Sequence, residues 1–119
     1  MRADNGSETQ IIQARAWYWQ RVSAILMTVF VAIHLAVMIY AIRDGLTAAE
    51  ILGRTQGNWA FGTFYAMFVI CCTVHVPIGL AKILEEWGGL RAPMAVGISR
   101  AFALIIFLMG IAAVWGVTV

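Results

Sequence analysis

Three long stretches of the chain contain no Asp, Glu, Lys or Arg: Val22 to Ile42, Asn58 to Ala81 and Ala101 to Val119. At about 1.5 Å per helical residue, each stretch is long enough to cross a hydrocarbon core of roughly 30 Å. All three are predicted to be helices, because backbone polar groups in lipid must be paired within their own segment. The pattern predicts an all-α membrane protein whose single domain, residues 1–119, has three transmembrane helices in an up-down-up arrangement.

Two polar loops join the three predicted spans. In the first loop, Thr47 stands three residues before Glu50, which is the spacing of a helix capping box. A short surface helix is therefore predicted from Ala48 to Arg54. The second loop, Glu85 to Arg100, contains two adjacent glycines and a proline and is predicted to be a turn.

The composition supports the membrane assignment, since 62% of the residues are hydrophobic and 12% are charged. Two basic residues, Arg43 and Arg54, belong to the first loop. Six others flank the opposite ends of the spans: Arg2, Arg15, Arg21, Lys82, Arg91 and Arg100. This asymmetry predicts that residues 1–21 and the second loop are cytoplasmic. The net charge of +2 is then an insertion signal and does not indicate nucleic-acid binding.

The N-terminal segment is predicted to be loose over residues 1–14, which are polar. Aromatic residues follow it at the edge of the first span, in the sequence Trp17-Tyr18-Trp19. Such rings are typical of the interfacial belt of membrane proteins, although three together can also wall a cavity at the membrane surface.

Two histidines, His34 and His75, stand inside the apolar stretches, and a titratable ring within a membrane span is a candidate functional residue. Histidine is also a usual axial ligand of haem iron. The alternative is that each ring only donates a hydrogen bond to a neighbouring helix. For His34, whose neighbours in sequence are all apolar, this packing alternative is the stronger one.

The surroundings of His75 favour a ligand site. Gly79 lies four residues later on the same helical face, where a flat ligand would find room, although a glycine in a membrane helix can equally serve close packing. Pro77 is expected to bend the helix beyond His75. Cys71 and Cys72 are interpreted as apolar fillers rather than metal ligands, because no further ligands accompany them.

Counting residues from the cytoplasmic ends of the spans places the two histidines at different depths. His34 is 12 residues beyond Val22, or roughly 18 Å deep, and His75 is six residues from Ala81, or roughly 9 Å deep. Two axial ligands of one iron need nearly equal depth. Each histidine is therefore predicted to need a partner ligand from another chain.

Short motifs around these residues resemble a known family. Gln20-Arg21-Val22-Ser23-Ala24 resembles the His-Arg-x-Ser-Gly signature of the b-type cytochrome membrane anchor of succinate dehydrogenase. His75-Val76-Pro77-Ile78-Gly79, followed by Glu85-Glu86-Trp87, resembles the haem-ligating second helix of these anchors. The closing Val114-Trp115-Gly116-Val117 is similar to the end of the second anchor of that family, the hydrophobic membrane subunit.

The resemblance implies a haem b and a quinone as cofactors. His75 would be one axial ligand of the haem iron, with the other coming from a second membrane anchor subunit, and Gly79 would lie beside the haem. Arg21 would lie beside the quinone or a haem propionate, since its guanidinium is a fixed, charged donor. His34 would mark a second haem iron, as in two-haem members.

The resemblance also implies a set of quinone-contacting residues: Arg21, Ser23, Trp17, Glu86 and Trp87. Trp17 and Gln20 depart from the family, which has a serine and a histidine at these positions. The two anchor types of the family are not distinguished by these motifs.

The function expected from the resemblance is that of a membrane anchor subunit of a succinate:quinone or quinol:fumarate oxidoreductase in the bacterial cytoplasmic membrane. The chain has no dinucleotide fingerprint and no cysteine cluster, so a flavoprotein subunit and an iron–sulfur subunit would carry the dicarboxylate chemistry. Two alternatives stay open: a haem b anchor of another membrane-bound dehydrogenase, and a haem-free structural or transport subunit.

Overall fold

The computed structural model describes residues 2–119, and the side chains from Asn5 onward. It contains four helices, α1 (Arg2–Asp44), α2 (Ala48–Thr55), α3 (Trp59–Glu86) and α4 (Ala92–Thr118). Within the described part of the chain, α1, α3 and α4 are long and apolar enough to cross a membrane. The predicted fold, an all-helical membrane protein, is confirmed.

The long helices run antiparallel, with α3 between α1 and α4. Ser23 and His34 of α1 contact His75 and Tyr65 of α3, so the numbering rises along one helix as it falls along the other. Helix α3 packs more extensively against α4 than against α1, and among the described residues no comparable contact joins α1 to α4. We call the end that holds the C-termini of α1 and α4 the α2 end, and the opposite one the N-terminal end.

Small residues bring α3 and α4 close together. Ala95, Ser99 and Ala103 recur every four residues along one face of α4 and are almost fully buried. Further along, a Cβ atom on Gly110 would lie 2.7 Å from a methyl group of Val69. Small side chains at helical spacing are the usual means by which membrane helices pack tightly.

Hydrogen bonds at the α2 end tie the loop helix to the bundle. The capping box is confirmed, because the Thr47 hydroxyl accepts from the Glu50 amide while the Glu50 carboxylate accepts from the Thr47 amide. Arg54 forms an ion pair with Asp44 at 3.2 Å. Gly57, whose φ of 69° favours glycine, donates its amide to the Thr118 carbonyl at 2.8 Å and thereby caps α4.

Two predictions about the N-terminal end are wrong. The N-terminal segment is not loose from Arg2 onward but continues α1, since it contains no proline and extends a helix already nucleated by the span; Met1 lies outside the described residues. The second loop is shorter than predicted, because α4 begins at Ala92 with Pro93 in its first turn, where a missing amide hydrogen costs nothing.

Candidate functional site

His75 is held from the α1 side by a serine. The Ser23 hydroxyl lies 3.3 Å from His75 Nδ1, and Ser23 as a residue is 3% exposed. The same hydroxyl donates to the Gln20 carbonyl at 3.0 Å, one turn earlier in α1. Ser23 therefore connects the imidazole of α3 to the backbone of α1.

The two hydrogen bonds of Ser23 together favour one tautomer of His75. A hydroxyl has one hydrogen, and the Gln20 carbonyl can only accept, so the Ser23 hydrogen is directed to that carbonyl. For both hydrogen bonds to form together, Ser23 must accept from His75, which requires the proton of the neutral imidazole to be on Nδ1. The lone pair of Nε2 is left free, which is the form in which a histidine ligates a metal with its other nitrogen oriented by a hydrogen bond.

His75 lines a groove of about 540 Å³ between α1 and α3. No residue of α4 takes part in it. The α1 side consists of apolar or small side chains that recur at helical spacing: Ala24, Met27, Thr28, Val31, Ala32 and Leu35. The groove therefore offers His75 an apolar space on the side of the bundle that α4 does not cover.

Arg21 and Trp17 continue the same face of α1 toward the N-terminal end. They precede Ala24 by three and seven residues, a spacing that keeps all three on one side of a helix. The Arg21 guanidinium carbon lies 4.5 Å from the centre of the Trp17 ring, in a cation–π contact, and both side chains are exposed. A charged hydrogen-bond donor and an indole thus lie next to the groove that contains His75, on the side of the N-terminal end.

The space beside Gly79 is occupied by Gln20. A Cβ atom on Gly79 would lie 2.9 Å from Gln20 Nε2. The geometry favours the packing alternative for this glycine, which lets α1 approach α3 next to His75. Ser23 likewise has a different surrounding from the one expected of a quinone contact, because its hydroxyl is buried and engaged by His75 and Gln20.

Glu86 and Trp87 stand apart from Arg21. Both are exposed at the C-terminal end of α3, 11 and 12 residues beyond His75. Arg21 lies close to the level of His75 along the bundle. At the rise of an α-helix, about 1.5 Å per residue, Glu86 is therefore roughly 13 Å nearer the N-terminal end than Arg21. The chain by itself does not bring the predicted quinone-contacting residues into one pocket.

His34 has a different partner, Tyr65 of α3. The tyrosine hydroxyl lies 3.0 Å from His34 Nδ1, and the ring packs edge-on against Tyr65 and Phe68. This geometry favours the packing alternative for His34. Neither Tyr65 nor the role of Ser23 was found from the sequence, although a tyrosine in mid-span signals a polar group that needs a partner.

The register between α1 and α3 enlarges the separation of the two histidines. Ser23 is level with His75, and His34 is 11 residues further along α1, or roughly 16 Å deeper. The sequence alone predicts a difference in depth of about 9 Å between the two histidines, because it places Val22 and Ala81 at the same membrane depth. In the structure, Ala81 is level with Trp17 instead. The prediction that one iron cannot bind both histidines of this chain is strengthened.

Two further observations concern metal chemistry. Within residues 5–119, no group of three or more His, Cys, Asp or Glu side chains is placed to hold a metal ion. Cys71 and Cys72 are free thiols. A metal at His75 would therefore need ligands from outside this chain.

Comparison with known proteins supplies a relative. The chain is 27% identical over 101 residues, which are 84% of this chain and 86% of the relative, to a protein of Archaeoglobus fulgidus named succinate dehydrogenase hydrophobic membrane anchor subunit. The chain resembles a succinate dehydrogenase membrane anchor. No family model matches the chain, and no solved structure matches it significantly.

The relative confirms the resemblance predicted from the short motifs. The covered lengths show that the likeness to the anchor subunit extends over most of both chains rather than over one helix. Together with three helices of membrane-spanning length, it supports a multi-pass membrane protein.

Proposed function

We propose that this chain is a membrane anchor subunit of a succinate:quinone or quinol:fumarate oxidoreductase, and that His75 provides one axial ligand to a b-type haem. The observation that carries the proposal is the fixed orientation of the His75 ring, which keeps Nε2 free beside an apolar groove. The succinate dehydrogenase anchor named among the relatives supports the class of complex.

The residues around the groove fit a haem. Ala24, Thr28 and Ala32 present small side chains to the groove, and Met27, Val31 and Leu35 supply apolar contact surface for a flat macrocycle. Arg21, exposed on the same face, is suited to a carboxylate at the membrane edge. When bound, a b-type haem supplies a one-electron redox centre near the N-terminal end of the bundle.

The second axial ligand would come from a second membrane anchor subunit. The groove is lined by α1 and α3 alone and has no cover within the described residues. A helix of the partner anchor placed over it would bring another ligand to the same depth as His75. The partners that complete the complex are an iron–sulfur subunit and a flavoprotein subunit at the N-terminal end.

The quinone would bind at this same end, with Arg21 donating hydrogen bonds to a quinone oxygen and Trp17 bounding the site. Both face the same side as the groove. Glu86 would serve as a proton source for the reduced quinone once the partner subunits enclose the space between it and Arg21. The six basic residues at this end favour a cytoplasmic N-terminus.

Reduction of the purified complex with dithionite tests the proposal. The wild-type complex should show b-type absorption bands, His75→Ala should lose them, and the matched variant His34→Ala should keep them. Bands that persist in His75→Ala would overturn the ligand assignment. A wild-type complex without such bands would favour a haem-free structural subunit instead.

Co-purification distinguishes the complexes that share such an anchor. A tagged chain should bring with it a second anchor, a flavoprotein and an iron–sulfur subunit with succinate:quinone reductase activity. If the purified complex oxidises another substrate and not succinate, the chain is the haem b anchor of a different dehydrogenase.

A further inference from the structure

Lys82 lies on the face of α3 that carries His75. It follows His75 by seven residues, and two helical turns take about 7.2 residues, so the two side chains share one side of the helix. Gly79, which stands between them, faces Gln20 of α1. Lys82 is therefore on the side of α3 that meets α1, roughly 10 Å nearer the N-terminal end than His75.

The opposite wall at this level is formed by Trp17 and Arg21 of α1. In the antiparallel register of the two helices, Lys82 is level with Ala16, which is next to Trp17. The guanidinium carbon of Arg21 lies 4.5 Å from the centre of the Trp17 ring, so the charge of Arg21 reaches this level too. Two cations, one from each helix, thus stand at the end of the groove that contains His75.

Neither cation is paired with a carboxylate of this chain. Within residues 5–119, neither Lys82 nor Arg21 forms an ion pair, and both side chains are exposed. Helix α4 contains no Asp or Glu, and α1 has none from residue 9 to residue 43. Glu85 and Glu86 follow Lys82 in α3, on the side away from His75. A carboxylate bound between the two cations and the apolar part of the groove must therefore come from outside this chain.

Gln20 offers Lys82 a hydrogen-bond acceptor beside the groove. The side-chain oxygen of Gln20 is buried and has no partner among the described residues, while its Nε2 lies beside Gly79. A buried acceptor without a donor costs free energy. Lys82 is three residues from Gly79 on the same side of α3, and its ammonium carries three donors on a flexible stem. The unpaired oxygen therefore favours the conformation in which Lys82 turns toward the groove.

We propose that Lys82 binds a carboxylate of the haem, opposite Arg21. This role rests on the proposed function, because it concerns the group that occupies the groove. A b-type haem has two carboxylates on one edge of a flat, apolar macrocycle. The groove has an apolar part beside His75 and two unpaired cations at one end, which matches that distribution of charge. A Lys82 ammonium forms a charge-assisted hydrogen bond with a carboxylate, and its positive charge stabilises the reduced state of a nearby redox centre.

Arg100 of α4 provides a matched control for Lys82. Gly110 faces Val69, so Arg100, ten residues earlier in α4, is level with Gly79 and within about 5 Å of the level of Lys82. Arg100 carries the same charge and is exposed. Helix α4 does not line the groove that contains His75. Removal of either cation therefore changes the net charge of this end equally, but removal of Lys82 alone changes the groove.

Two measurements on the purified intact complex test the proposal: the midpoint potential of the haem, and the infrared difference spectrum between its oxidised and reduced states with ¹³C-labelled haem carboxylates. Lys82→Gln should lower the reduction equilibrium constant about threefold or more, which is about 28 mV for a one-electron couple at 59 mV per factor of ten. The band of the labelled carboxylates should shift. Arg100→Gln should leave both close to the wild type, and Lys82→Arg should restore both in large part.

Several results would overturn the role of Lys82. Equal changes in Lys82→Gln and Arg100→Gln would reflect only the net charge of this end. A changed potential with an unchanged carboxylate band would indicate that Lys82 pairs with an acidic group of a partner subunit instead. If Lys82→Gln retains no haem, Lys82→Arg decides, since haem present supports the role and haem absent overturns it. Haem without any effect of Lys82→Gln overturns this role alone, whereas a wild-type complex without haem refutes the proposed function itself.

Discussion

The two intramembrane histidines sit in opposite kinds of surroundings. His75 is hydrogen-bonded through Nδ1 to a buried serine and faces a groove that the described residues leave uncovered, so Nε2 is available to a ligand. His34 pairs with Tyr65 beside a second, apolar groove that all four helices line. The same residue type in the same kind of apolar stretch therefore has two different surroundings, and the hydrogen-bond partner distinguishes them.

The difference indicates what leaves a nitrogen of an intramembrane histidine free to bind a ligand. Apolar neighbours in sequence surround both residues and do not distinguish them. What differs is whether Nδ1 is held by a group whose own hydrogen is committed elsewhere, as Ser23 is by the Gln20 carbonyl. The surroundings of His75 and those of His34 can each be changed by a separate substitution.

The largest effect is expected from a pair of glycine substitutions. Gly110→Ala at the second groove places a methyl group 2.7 Å from Val69, a stiff β-branched side chain, and should lower the free energy of unfolding by about 1–3 kcal/mol. Gly79→Ala beside His75 meets only the end of the flexible Gln20 side chain and should cost less. Thermal unfolding in detergent measures both. An equal or larger loss of stability in Gly79→Ala would contradict the inference that the packing around Gly110 is the tighter of the two.

Removal of the serine should affect the His75 site alone. In Ser23→Ala the Nδ1 proton loses its acceptor, and second-shell changes of this kind typically lower metal affinity by about 10- to 100-fold. Haem per complex and the haem midpoint potential are the measurements. Ser99→Ala, which removes a buried hydroxyl on α4 away from the groove, is the control that should retain haem. Unchanged occupancy and potential in Ser23→Ala would remove the role assigned to Ser23.

A smaller effect is expected at the other histidine. Tyr65→Phe leaves His34 Nδ1 without its partner and should lower stability by about 1 kcal/mol, in the range of hydrogen bonds between membrane helices. The b-type spectrum should stay as in the wild type, because the change lies far from His75. A lost spectrum would show that the two sites are coupled.

The smallest effect is expected in α2, which borders the second groove. Hydrogen bonds from the Thr47 hydroxyl and amide hold the pKa of Glu50 below its ordinary value. Their contribution is therefore present above that ordinary value and is lost as the pH falls through the lowered one. Thr47→Ala removes the hydroxyl and should raise the pKa of Glu50 toward its ordinary value while weakening the cap. Titration of the Glu50 carboxyl by NMR checks the shift; an unaltered pKa would show that the Thr47 hydroxyl does not cause it.

Features set by local sequence could be predicted. The three spans follow from uninterrupted apolar stretches, and the capping box from the spacing of Thr47 and Glu50. The choice of His75 as a candidate ligand also rests on its position in a span, and that choice stays a prediction. Each of these depends on neighbours in the chain, which a single sequence displays.

Features set by packing between helices could not be predicted. Trp17 and Ala81 lie at the same height along the bundle because of the axial register between α1 and α3. No pattern in either helix alone determines that register. The contacts of Ser23 with His75 and of Tyr65 with His34 follow from the same register. The continuation of α1 to Arg2 escaped prediction because a polar segment is compatible with either a helix or a loose terminus.

The central place of α3 bears on how this sequence can diverge. One side of α3 supplies His75 to the groove, and the other meets the small residues of α4. Phe107, Leu108 and Met109 of α4 are exposed, and exchange among apolar residues there changes no contact described above. Among relatives of this chain, we expect α3 to retain its residues longest and the outer face of α4 to drift most freely.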